Sequence, residues 1–187
     1  VAWARAQGLS WQAMGMGGGS LRSGLRWGGL VAAAVALPLG VAVAVPGLRP
    51  LLDDARVAEI TVPALMFHAL VRIPLGTALW EEVAFRGVLF GAWARLRNPL
   101  VAAIGSSLVF GLWHIRPALT LLDVNDIAQG PGLRILARAA ALIVTVVAGL
   151  FFCWLRLRSR SLVAPLTAHV AINSLAIAAA AAAQRLG

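Results

Sequence analysis

Lysine and tyrosine are missing altogether, cysteine occurs once, and only seven of 187 residues are acidic. The single cysteine, Cys153, lies in an apolar run, which excludes a disulfide framework and a cysteine-based metal site. With no lysine, all sixteen basic residues are arginine. They gather at the ends of apolar runs with no basic patch interleaved with aromatics, so nucleic acid is not an expected partner. The lack of lysine and tyrosine beside abundant alanine reads as a compositional bias of the genome rather than a sign of mechanism. No His-Glu-x-x-His occurs, so zinc has no independent signal, and no inverted internal repeat points to a transporter.

Apolar residues are what the chain does have. They make up 60% of it against 12% charged, too apolar for the surface of a soluble domain of this size. They come in long runs of the length that crosses a bilayer, about 20 residues each. The expected fold is therefore all-α, a polytopic membrane helix bundle of five to six membrane helices. The lipid bilayer is its surroundings and the cell membrane its location. Residues 1–26 read as a polar, partly interfacial N-terminal arm without a secretory signal, and residues 27–187 as the transmembrane helical domain. Trp3, Trp11 and Trp27 suit headgroup level.

Along the chain, spans are expected over Trp27 to Val45, Leu75 to Ala94, Leu100 to Ile115, Leu133 to Leu155 and Leu162 to Ala183. Residues 57–73 read as an interfacial or re-entrant helix, followed by a break or kink at Pro74. Residues 116–133, with Asp123, Asn125, Asp126 and Gly-Pro-Gly, read as a loop, with room for a short surface helix. The breaks at 95–99 and 156–161 hold five arginines and no acid, which places both on the cytoplasmic side. If residues 57–73 do not cross on their own, the arm joins them there, giving five full spans.

Against this background three polar groups stand out, because an ionisable side chain in a span costs about 2.5 kcal/mol or more unless paired or hydrated. Glu81-Glu82-x-x-x-Arg86 puts Glu82 and Arg86 four apart on one helix face, as an intrahelical ion pair. Glu81, about 100° further round, has no counter-charge on its own helix, which suits a group that takes up and returns a proton. Phe110-x-x-x-His114 closes the following helix, and His169-x-x-x-Asn173 lines one face of the last. Each has a structural alternative. Glu82 and Arg86 can be a brace, His114 an interfacial residue, and His169 with Asn173 an interhelical tie. His68 is taken as structural. Five polar side chains on three spans are hard to explain jointly in that way.

In these residues the chain resembles the CAAX-protease and bacteriocin-processing family of intramembrane peptidases, also called the Abi family. The stretch PLGTALWEEVAFRGVLFG strengthens the likeness, which covers about residues 74–175. The resemblance implies an intramembrane endopeptidase acting on a peptide or membrane-protein substrate, in or next to the membrane. It implies that Glu81 activates water with His114 helping to hold it, that His169 and Asn173 stabilise the oxyanion, and that Arg86 holds Glu82. A zinc-dependent variant would use Glu81, His114 and His169 as ligands, with one open position. Two other functions fit the same cluster: a non-enzymatic immunity or adaptor protein using it for helix packing, and a proton-coupled transporter. The enzyme requires Glu81, His114, His169 and Asn173 to converge on a water-accessible cavity between spans.

Overall fold

A computed structural model describes residues 1–127 and 130–187. Among the described residues there is no strand. Four helices are long and apolar enough to cross a membrane: α1 (Leu21–Ala44), α2 (Val62–Leu96), α5 (Pro131–Ser159) and α6 (Val163–Leu186). Between α2 and α5 lie α3 (Pro99–Trp113) and α4 (Ile115–Val124), which meet at a 44° bend and together have the length and apolarity of a fifth span. Among the described residues the bundle thus has four helices of spanning length, or five with the bent pair.

Two expectations are corrected here. Residues 57–73 are not a separate interfacial helix, because Pro74 does not break the chain: Val62–Leu96 is one helix of 35 residues. It passes the proline by widening to π-helical turns over His68–Ala78, and it widens again over Glu82–Leu89. The wider turn relieves the clash between the proline ring and the preceding carbonyls that would kink an α-helix. A serine from a neighbouring helix bonds a carbonyl in each widened stretch: Ser174 donates to Ala69 O at 2.8 Å and Ser106 to Phe85 O at 2.8 Å. Residues 116–133 are likewise not mainly a loop. Helix resumes at Ile115 and runs to Val124, and α5 begins at Pro131, whose missing N–H costs nothing in the first turn. Residues 128 and 129 of that stretch lie outside the described residues.

The local signals at the ends are conventional. Asn98 accepts from Val101 N–H at 2.9 Å ahead of Pro99, starting α3, and Thr61 caps α2 through Ala64 N–H. The helices then turn their apolar side chains outward. Leu30, Leu37 and Val41 of α1, and Ile135, Leu136 and Val144 of α5, are exposed, as expected where the solvent is lipid. Small residues line the helix contacts. A Cβ on Gly28 of α1 would lie 2.6 Å from the Thr167 Cβ of α6, so only glycine permits that approach. Gly149 of α5 allows the same closeness to Ser107 of α3, with 2.9 Å to its Cβ.

Side-chain contacts gather the connections at two ends. At one, the arm lies across the bundle: Arg95 donates to Gln7 O, Arg156 to Ala13 O and Leu162 N–H to Gly15 O. Met14 is fully buried there with Ala4 and Leu9. At the other, Asn125 bonds Ala55 N–H and Asp54, Gln184 reaches Asp53, and Arg185 donates to Ile60 O. Asp54 is also hydrogen-bonded by Arg56, whose guanidinium holds its carboxyl below the usual range. Because Asn98 follows the arm-side Arg95 and Asn125 sits at the opposite end, α3 and α4 carry the chain from one end to the other.

Candidate active site

The second widened stretch of α2 starts at Glu82, and around it three helices deliver their polar side chains to one point. Glu82 is fully buried, and its Oε1 accepts from Arg86 Nη1 at 3.1 Å and from His169 Nδ1 of α6 at 2.8 Å. The first contact is the intrahelical pair expected from the spacing. The second is a tertiary contact, invisible in the sequence because it joins residues 87 apart. Arg86, also fully buried, lies in an aromatic enclosure, its guanidinium carbon 3.9 Å from the Phe110 ring centroid and 5.0 Å from that of Phe152. Its Nε and Nη2 make no hydrogen bond, so Glu82 is the one carboxylate that compensates it among the described residues.

Glu81 points to the other side of the same histidine. Its Oε2 lies 3.5 Å from His114 Nε2 and 3.7 Å from His169 Nε2. Its Oε1 accepts from Trp113 Nε1 at 3.3 Å, which turns Oε2 toward the imidazoles. The polar partners missing on its own helix are thus supplied by two others. Trp113 was not singled out from the sequence; its place immediately before His114 was the available hint.

The hydrogen bonds at Nδ1 set what the histidines can do. His114 Nδ1 lies 2.9 Å from the Phe110 carbonyl, which only accepts, so this nitrogen carries a proton. His169 Nδ1 faces the Glu82 carboxylate in the same sense. In the neutral form of either ring the lone pair is therefore on Nε2, and both Nε2 atoms face the same oxygen of Glu81. The first residue of the Phe-x-x-x-His motif serves through its main chain as well as its ring. That ring lies tilted against His114 with centroids 4.2 Å apart and meets Phe85 edge-on at 5.2 Å. Phe152 lies flat against His169 at 5.0 Å. It was also not anticipated, since nothing marks it within an apolar run.

Exposure grades across the cluster. The side chains of Glu82 and Arg86 are closed off completely, whereas 12% of Glu81 and 20% of His114 remain accessible. Gly87 already lies against the arm at Met14 and Met16, and Glu82 and Glu81 follow five and six residues away from it along α2. Asn173, one turn beyond His169 on α6, is half-buried and takes no part in the hydrogen bonds that join the cluster. His68 pairs with Arg72 at 3.5 Å, apart from the site.

Glu81, His114 and His169 were also the candidate zinc ligands. Among the described residues no group of three or more His, Cys, Asp or Glu side chains is arranged to hold a metal ion.

Residues 63–175 match the family model described as "Type II CAAX prenyl endopeptidase Rce1-like". That is more than half of the chain, and it takes in all of the motif residues from Glu81 to Asn173 as well as the first half of α2. No curated protein and no solved structure matches the chain.

Proposed function

The chain belongs to the family of Rce1-like type II CAAX prenyl endopeptidases, and we propose that it cleaves a peptide bond in or next to the membrane with Glu81 as general base. It is a multi-pass membrane protein of a protease family, so bilayer and peptide substrate are its partners. The observation that carries the mechanism is the pair of imidazole Nε2 atoms within 4 Å of one carboxylate oxygen, each ring held at its other nitrogen.

A water positioned by Glu81 Oε2 and His114 Nε2 gives its proton to Glu81 as its oxygen attacks the carbonyl carbon. The negative charge moves to the carbonyl oxygen. There it is met by His169 as an imidazolium, which Glu82 stabilises at Nδ1, and by the Asn173 amide after a change of rotamer. Collapse of the tetrahedral intermediate breaks the C–N bond, and the proton held by Glu81 passes to the leaving amine. Trp113 keeps Glu81 aimed; Arg86 keeps Glu82 in place. The graded exposure fits this order, with the buried pair as a support and the accessible pair facing substrate. A compact cluster of this kind also fits hydrolysis better than a proton path across the bilayer, which needs polar groups spread over its depth.

The test is a proteomic comparison of membranes carrying the wild type or Glu81→Ala. Peptides that end at a new C-terminus should be present with the first and absent with the second. Identical peptide profiles would remove the peptidase reading.

The arm-side end is assigned to the cytoplasm of a cell membrane, since residues 1–26, 95–99 and 156–161 carry eight arginines and no acid. In a Cys153→Ala background, an impermeant maleimide should label Arg56→Cys from outside intact cells and leave Arg97→Cys and Arg160→Cys unlabelled. The reverse pattern would invert the topology.

A further inference from the structure

All seven acidic residues lie at the opposite end of the bundle or in the site just described, which leaves the arm-side arginines without a carboxylate. Eight like charges at one end repel one another unless an anion comes to them. A cavity of about 570 Å³ opens among them, lined by Gln12, Gly15, Gly17, Ser20, Arg156 and Arg160.

Two of these residues are placed in ways that packing alone does not account for. Arg156 is 7% exposed, donates to the Ala13 carbonyl and lies over the Phe90 ring, yet its Nε–H is buried with no partner. The wall beside it is built for closeness. Gly15 has φ +75°, a Cβ there would come within 3.4 Å of that Nε, and the Gly15 carbonyl is tied to Leu162 N–H. Arg160 has φ 56°, a left-handed conformation that glycine adopts freely and a long side chain does not. An arginine held there keeps its charge at the cavity mouth. The rim has the character of a membrane interface: Arg158 sits 4.9 Å over the Trp27 ring, and Leu157 and Leu21 are exposed beside it.

We propose that this cavity binds a phosphate-bearing anion, supplied in the membrane by the headgroup of an anionic phospholipid in the arm-side leaflet. A phosphate pairs with the guanidinium groups of Arg156 and Arg160 that line the cavity, while the acyl chains lie against the apolar rim.

The test uses the full chain purified in detergent. Thermal unfolding is followed with added phosphatidylglycerol, with phosphatidylcholine, and with inorganic phosphate against chloride at equal ionic strength. Phosphatidylglycerol should raise the unfolding temperature where phosphatidylcholine does not. Arg160→Gly, which suits the backbone there, should unfold at the wild-type temperature or above without lipid. Its apparent affinity for phosphatidylglycerol should be about tenfold weaker, the loss of one charge-assisted hydrogen bond. Arg97→Gln, the same charge change at the same end but outside the cavity, should respond as the wild type does. Stabilisation by inorganic phosphate and none by phosphatidylglycerol would overturn the lipid source. No selectivity for either anion, or equal losses in Arg160→Gly and Arg97→Gln, would overturn the site.

Discussion

Glu81→Gln should leave the bundle folded and lower peptide-bond cleavage by about 10²–10⁴-fold, the usual contribution of a general base. The amide keeps the shape of the carboxylate and can still accept from Trp113 Nε1 through its oxygen. Its NH₂ can donate to His114 Nε2, which presents a lone pair in the tautomer set by the Phe110 carbonyl. A charge is removed from an apolar setting and no donor is orphaned, so the unfolding temperature should hold or rise. What is lost is the ability to take a proton from water. The measurement pairs thermal unfolding in detergent with cleavage of a substrate peptide. A folded Glu81→Gln that retains wild-type turnover would show that Glu81 is not the base.

Glu82→Gln should have the opposite profile in stability. Glu82 Oε1 serves two donors, and the neutral amide leaves the Arg86 guanidinium in its ring of phenylalanines without a counter-charge. Breaking a buried pair by removing one partner typically costs about 3–5 kcal/mol. Folded yield should fall accordingly. Activity per folded molecule should fall too, because His169 loses the carboxylate that holds its Nδ1 proton and aims its Nε2. The double variant Glu82→Gln/Arg86→Met separates the two roles. It removes both buried charges and should recover most of the stability, yet leave turnover low, since His169 is still without its carboxylate. If the double variant is both stable and active, Glu82 is only a brace for Arg86.

The difference between these neighbouring glutamates was partly legible in the sequence. The spacing of Glu82 and Arg86 already assigned them to one face, because i and i+4 remain neighbours on a helix. What was not legible is that Glu82 and Glu81 flank the same imidazole from opposite sides, since that needs α6 placed against α2 at one register. Trp113, Phe152 and Ser106 escaped notice for the same reason: each acts across a helix contact, and an aromatic or serine in an apolar run carries no pattern of its own.

The course of the chain through residues 57–96 shows the limit from another direction. Proline is a strong local signal against an α-helix, and at Pro74 a break or kink is the expectation. The wider π-helical turns and the serine on α6 that bonds into them let the helix continue, which made one span of two expected segments.

By itself the sequence determined the class of molecule, its helical bilayer-spanning nature and the motif residues. Apolar run length and the cost of isolated charge in lipid are properties of each segment on its own. Tertiary structure alone decided that α2 is continuous, that α3 and α4 meet at a 44° bend, and which nitrogen of each histidine faces Glu81. It also decided that Asn173 stands apart from the contacts of the cluster. These depend on the depth and rotation at which one helix meets another, and close packing of small residues such as Gly28 and Gly149 sets both only when all the helices are present together.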